Sequence, residues 1–290
     1  MIINAEEYSE KIHTLLKTNN FSTLTRDPTV KYQKLILKTM QECNIIIDKG
    51  QIKFLTQKKS SPPTLKTQLK LHKIDIPIHP VINNRSALSY KLAKHLTKIL
   101  NQYITLNNHY NVINSTNLAL DLTKLKLHEN HRMITFVIKY VYVNILINET
   151  LNILKAKLLE NNNTQITHQI LALLNVTLSQ NYFTFQQKNY QPEQGISMGS
   201  PISSLIVQVF LHHYEDIHIK QLLDTKNIAP YTRYVDDILI IYDKKIQSQT
   251  INTQINQIHH NIKLNPTHET HNSINFLDLT IIRKQTNLEI

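Results

Sequence analysis

Two adjacent aspartates, Asp236 and Asp237, stand between the strand-like runs Tyr231-Thr232-Arg233-Tyr234-Val235 and Ile238-Leu239-Ile240-Ile241-Tyr242. Successive residues of a strand face opposite sides of a sheet, and two carboxylates crowded between apolar flanks repel each other and resist burial. A tight turn between two strands meets both constraints, so the sequence predicts strand, turn and strand over Tyr231 to Tyr242 with the carboxylates at the tip. There the pair can approach divalent cations. Hard carboxylate oxygens suit magnesium, with manganese as a substitute. An ordinary solvated turn is equally rich in aspartate, and the pair alone does not separate the two readings.

A second feature lies upstream. Only three glycines occur in 290 residues, and two of them, Gly195 and Gly199, fall in one loop, Gln194-Gly195-Ile196-Ser197-Met198-Gly199-Ser200-Pro201. Glycine takes positive φ and lets a backbone approach a ligand closely, which suits a loop under a nucleotide sugar or a template base; a plain turn into a helix is the alternative. Ser200 as N-cap and Pro201 at the first helical position predict a long helix through Leu205, Val207, Val209, Phe210 and Tyr214. The interval from Gly199 to Asp236 then holds one long helix and one strand.

The remaining chain reads as an α+β protein. A hydrophobic fraction of 41% with few glycines and prolines is enough for a sizeable core. Residues 1–60 carry helical spacing and end in the polar stretch Gln57 to Pro63. Leu69 to Lys73 and Pro80 to Arg85 read as a basic β-ribbon, followed by helices over Ser89 to Ile104 and Ser115 to Leu127. Met133 to Val143 reads as a buried strand, Asn148 to Leu159 and Ile166 to Leu178 as helices, and Tyr182 to Tyr190 as a hairpin. A helix over Gln247 to Ile262 and a hairpin over Ile274 to Glu289 complete the chain. A net charge of +11 favours a polyanionic partner, nucleic acid first, although basic charge also serves solubility. The single cysteine, Cys43, excludes a disulfide framework and a CxxC zinc site, and the histidine pairs lack zinc-site spacing. No signal-peptide core and no apolar run of membrane-spanning length occurs, so a soluble intracellular protein, nuclear or cytoplasmic, is expected.

Together these tracts carry a resemblance. QGISMGSPISSLIVQVFLHHYE is similar to the glycine-loop motif of reverse transcriptases with its following helix, and YTRYVDDILIIY to their YxDD hairpin. Leu71-His72-Lys73, Pro77 to Arg85, Tyr142-Val143-Asn144-Ile145 and the Phe276-Leu277-Asp278-Leu279 tract extend the likeness over roughly residues 60 to 290, most nearly to Penelope-like retroelements. The resemblance implies a right-hand polymerase fold, with an N-terminal helical extension over 1–60, fingers over 61–132 and a palm over 133–290. It also implies an RNA-directed DNA polymerase that extends a DNA primer on an RNA template with dNTPs. Asp236 and Asp237 would hold magnesium and Tyr234 would pack near the primer terminus. Gln194, Gly195, Met198, Gly199, Ser200 and Pro201 would contact nucleotide and template, Lys73 and Arg85 would meet phosphates, and Phe276, Leu277 and Asp278 would belong to the primer grip. The oligomeric state is open.

Three departures qualify the expected activity. Aligning on Tyr142-Val143-Asn144-Ile145 places Val137 where the family carries a further metal-binding aspartate, and Leu146 where it carries proline. Valine has no oxygen to offer a cation, so catalysis is expected to be severely impaired. Asp121, on a helical segment well upstream, is a poor replacement. His79 stands where the family places an arginine, and histidine lacks the forked, permanent charge. The chain ends at Ile290, where relatives continue into a thumb and often a GIY-YIG endonuclease. A catalytically dead RNA or RNA–DNA hybrid binding module is the alternative.

Overall fold

Helical spacing of apolar residues sets α1 (Ala5–Thr18), α2 (Thr29–Glu42) and α3 (Lys49–Leu55) at the start of the chain, with a short strand, β1 (Phe21–Leu24), after the first helix. Asp48 starts α3 through a capping box: its carboxylate accepts from the Gln51 N–H at 2.8 Å, and the Gln51 side chain accepts from the Asp48 N–H at 2.9 Å. The ribbon follows as β2 (Thr64–Leu69) and β3 (Ile78–Asn83), paired antiparallel. Next come α4 (Tyr90–Tyr103), α5 (Ser115–Thr123), β4 (His131–Lys139), the single turn α6 (Val141–Asn144), α7 (Ile147–Leu159), α8 (Thr164–Leu178), β5 (Phe183–Phe185) and β6 (Lys188–Pro192). The long helix is α9 (Ser203–Asp224), and the chain closes with β7 (Ile228–Tyr234), β8 (Asp237–Asp243), α10 (Ser248–Asn256), β9 (Lys263–His268), β10 (Ser273–Phe276), β11 (Leu279–Arg283) and β12 (Leu288–Glu289). This computed structural model describes residues 4–18, 21–69, 78–106, 109–225 and 228–290. All but Leu69 of the strand expected over Leu69 to Lys73, Lys73 included, lies outside them.

The chain divides into two compact units, each discontinuous in sequence: Met1–Thr105 with Tyr142–Val209, and Leu106–Val141 with Phe210–Ile290. In the first, a five-stranded sheet has the order β1-β6-β5-β2-β3. Ile12 and Leu16 of α1 bury against its Leu65, Ile82, Phe183 and Tyr190, while α8 packs against α2, α4 and α7. In the second unit a four-stranded sheet has the order β7-β8-β4-β9, and a three-stranded sheet the order β10-β11-β12. Met133, Leu239, Ile241, Phe276 and Ile281 form its core with Leu118 and Leu122 of α5. Each fully buried side chain of this kind contributes about 1.5–3 kcal/mol.

Several details differ from the sequence reading, among them the strand expected over Met133 to Val143, which ends at Lys139 and gives way to α6. The long helix begins at Ser203 rather than Pro201, because residues 200–202 form a turn in which Ser203 N–H donates to the Ser200 carbonyl at 3.1 Å and the Ser203 hydroxyl to the Ser197 carbonyl at 2.7 Å. The N-terminal region is not purely helical, since β1 joins a sheet by pairing with β6. The terminal hairpin has a third strand, β12, paired with β11.

Candidate active site

Tyr234 and Asp237 are register partners, so Val235 and Asp236 alone join β7 to β8. A two-residue hairpin that matches strand twist needs positive φ at its first loop position, and Val235 supplies it at 55°. Such a backbone costs a residue with a Cβ roughly 1–2 kcal/mol. A buried polar network in the same unit holds the turn in place. Arg233, 1% exposed, donates through Nε and Nη2 to Glu215 at 2.5 and 2.8 Å, and through Nη1 to the Val235 carbonyl at 3.1 Å. The Tyr231 hydroxyl donates to the same carboxylate at 2.7 Å. The backbone of Arg233 is also clamped, donating to the Tyr110 carbonyl at 2.7 Å and accepting from Val112 N–H at 2.8 Å. Burial opposes the guanidinium's charge, but the hydrogen bonds and negative charge of Glu215 outweigh it, so its pKa lies above the ordinary value. Burial, reinforced by Glu215, pushes the Tyr231 phenol well above the usual tyrosine range.

Strand β4 lies beside the hairpin. Val137 is the register partner of Asp237, and Ile138 N–H donates to the Asp236 carbonyl at 2.8 Å. On the other edge of β4, Val137 pairs with Asn265 of β9. Directly opposed residues project to one face of a sheet, so the row reads Asp237, Val137, Asn265. Val137 is 39% exposed although the four residues from Met133 to Phe136 are buried; it stands at the open end of the strand, where the aspartates also emerge. Asp121 sits exposed on α5, and the strand position opposite the turn belongs to valine. Among the described residues, no group of three or more His, Cys, Asp or Glu side chains is placed to hold a metal.

The glycine loop belongs to the first unit. Gly195 has φ +90°, and a Cβ there would stand 2.4 Å from the Val143 carbonyl oxygen; Gly199 has φ +104°, and a Cβ there would stand 2.2 Å from that of Ile82. Both glycines are therefore required by close approach to the chain's own backbone, which Ile196 N–H to the Tyr142 carbonyl at 2.8 Å and Ile82 N–H to the Met198 carbonyl at 3.0 Å make possible. The buried Asn181 and Asn84 amides lock the loop from below, donating to the Gly195 carbonyl at 3.0 Å and the Ser197 hydroxyl at 3.1 Å. Gln194 is exposed, while Met198, Ser200 and Pro201 are half-buried.

The other expected residues are more scattered. Tyr234 ends β7 at 38% exposure. Arg85 is exposed in the turn after β3, its N–H donating to the Asn83 side chain at 3.2 Å. Phe276 pairs with Leu279, so Leu277 and Asp278 form a second two-residue hairpin loop, with φ 56° at Leu277. The Phe276 ring is buried in the core and the Asp278 carboxylate is exposed. The sequence reading passed over Arg233, Glu215 and Tyr231. Their signal was a charge in a strand-like run and an acid within an otherwise apolar helix, each calling for a buried partner.

A sequence model described as reverse transcriptase (RNA-dependent DNA polymerase) matches residues 80–277, from β3 through the tip of the β10–β11 hairpin. The chain belongs to the reverse transcriptase family. Among solved structures, this reverse transcriptase domain is similar to telomerase from Candida albicans in complex with a TWJ fragment of telomeric RNA, at 12% identity and a TM-score of 0.62, covering 98% of this chain and 50% of that one. It is also similar to apo telomerase from Candida tropicalis truncated from its C-terminal domain, at 12% identity and a TM-score of 0.61, covering 98% and 59%. At such identity the likeness shows the fold, which is the right-hand polymerase fold. The domain spans about half the length of the structures it matches. No curated protein matches the sequence. Among the described residues no helix is long and apolar enough to cross a membrane.

Proposed function

We propose that this reverse transcriptase domain, of the Penelope-like kind, binds a primed RNA template but adds dNTPs to the primer poorly, because its metal site lacks one carboxylate. The observation that carries this is the register of Val137 opposite Asp237. In a two-ion site the carboxylates are the ligands that set both ions, one activating the attacking oxygen and the other stabilising the leaving one. The row Asp237, Val137, Asn265 contains one carboxylate, Asp236 adds a second from the turn, and valine contributes none. The residues present thus do not fit a pair of magnesium ions. What remains is positioning: the glycine loop, Tyr234 and Arg85 would orient nucleotide, primer terminus and template phosphates, with Lys73 assigned to phosphates from its sequence position alone. The hairpin tip at Leu277 and Asp278 would lie along the primer, with Phe276 as its buried anchor.

The same valine favours a second reading, in which binding RNA or an RNA–DNA hybrid is the whole function. One experiment separates them. The chain and a Val137→Asp variant are given primed RNA template, dNTPs and magnesium. Under the first reading the unmodified chain extends weakly and the variant more strongly, at lower magnesium; under the second neither extends, and both bind with an affinity that falls steeply with salt. Robust extension by the unmodified chain would refute both.

A further inference from the structure

Lysines from α3, the turn that follows it and α4, all in the first unit, surround one exposed ring. Phe54, near the end of α3, is 71% exposed. On one side it borders a groove of about 520 Å³ lined by Lys53, Lys58, Lys59 and Lys91. On the other it borders a groove of about 290 Å³ lined by Tyr90, Lys91, Lys94 and Lys98. Lys91 joins the two, donating to the Phe54 carbonyl at 3.1 Å with its ammonium 5.3 Å from the ring centroid.

The arrangement follows from α4. Leu92, Leu96 and Leu100 are buried, so the face carrying Lys91, Lys94 and Lys98 must point outward. Like charges four apart, such as Lys94 and Lys98, destabilise an isolated helix. Among the described residues none of these six lysines makes an ion pair. Asp48, close enough to act on His95 of α4, has its carboxylate engaged in capping α3. Lys91 rests against the ring as a cation–π contact, but the lysines repel one another, and a ligand that is both anionic and flat-faced would relieve that repulsion while covering the rest of the exposed ring. Single-stranded nucleic acid is that ligand, since its phosphates follow a basic groove while its bases stack on aromatic rings; a duplex hides its base faces.

We propose that the α3–α4 surface binds single-stranded nucleic acid, with a base on Phe54 and phosphates along the flanking lysines. This site uses neither the aspartate hairpin nor the glycine loop, so it stands apart from the polymerase reading. The chain contains no tryptophan, which makes Phe54→Trp a reporter at one position. Its emission is expected to be quenched by oligouridylate or oligothymidylate and unchanged by a blunt DNA duplex, and a stronger response to the ribose strand would assign RNA. In anisotropy titrations of the full chain, Phe54→Ala is expected to weaken single-strand binding about five-fold or more, the low end for a stacked base, and to leave duplex binding unchanged. Lys58→Ala with Lys59→Ala should flatten the logarithmic salt dependence by about 0.7 for each phosphate no longer neutralised. Phe54 and both lysines are exposed, so all variants should melt with the unmodified chain. Quenching absent with both single strands, or equal loss on single strand and duplex, would overturn the proposal, as would preference for an acidic polypeptide over either strand.

Discussion

Replacing Glu215 with alanine is expected to destabilise the second unit by about 3–5 kcal/mol, the range for removing one partner of a buried ion pair. The carboxylate, 2% exposed, accepts from Arg233 twice and from the Tyr231 hydroxyl. Without it the guanidinium, 1% exposed, keeps only the neutral Val235 carbonyl and Tyr231 hydroxyl as hydrogen-bond partners among the described residues. An uncompensated buried charge has few remedies, and the nearest is for the Val235 turn to open and admit water. With a urea slope near the upper end for small proteins, about 3 kcal/mol per molar, the midpoint should fall by roughly 1–1.7 M. Two compact units need not unfold together, so amide hydrogen exchange of peptides covering 228–243 is the more direct assay. Their protection should drop by a factor of about 100 or more, while peptides from α8 change little. A triple variant, Glu215→Leu with Arg233→Met and Tyr231→Phe, should recover to within about 1 kcal/mol of the original, because apolar groups of similar volume often replace a buried pair at little cost. Unchanged protection in Glu215→Ala, or a triple variant as unstable as the single one, would refute the claim that charge compensation holds this hairpin.

Val235→Gly should raise stability by roughly 1 kcal/mol, since glycine removes the cost of positive φ and returns only part of it as unfolded-chain entropy; a lower urea midpoint would count against the strain. Cys43 supplies a pH test. Burial first, then the charge of Glu42, raises its thiol from 9.0 to about 11. A raised folded-state pKa contributes stability that is complete below the unfolded value and is lost as pH climbs through the folded one. Relative to Cys43→Ala, the parent chain should therefore lose about 2 kcal/mol between pH 8 and pH 10.5, and parallel urea midpoints for the two chains over that interval would exclude it.

Much of this structure was legible because apolar periodicity was strong. The paired helices before the glycine loop and the aspartate hairpin emerged near their observed bounds, whereas the first ribbon strand, expected over Leu69 to Lys73, is observed over Thr64–Leu69. Strand β9 did not, because Lys263 to His268 is polar with Pro266 in its middle; an edge strand tolerates a proline and an exposed face that a central strand would not. Strand β1 was hidden for another reason, since four residues give no period and its pairing partner lies far along the chain. Turn chemistry was almost silent. Three hairpin loops place positive φ at Gln186 and Gln187, Val235, and Leu277, and none contains the glycine that usually marks such turns. They were readable only from the alternation on either side.

The glycine loop and the row beside Asp237 show two limits of reading position from residue type. Gly195 and Gly199 suggested close approach to a ligand, but the nearest atoms are carbonyls of Val143 and Ile82. Glycine reports that something comes close, and residue type cannot say whether it is a nucleotide or the chain itself. Val137 was placed by counting back from Tyr142-Val143-Asn144-Ile145, and strand register made that count a spatial statement: the residue opposite Asp237 is apolar. Its physical effect runs in two directions. A third carboxylate there would repel Asp237 across about 5 Å in the absence of a cation, whereas a β-branched residue suits the strand. Valine therefore spares the hairpin a carboxylate repulsion at the position where the proposed reading finds a ligand missing. Because Arg233 and Glu215 hold the turn through hydrogen bonds that involve no ion, the hairpin does not depend on a carboxylate at position 137 for its geometry.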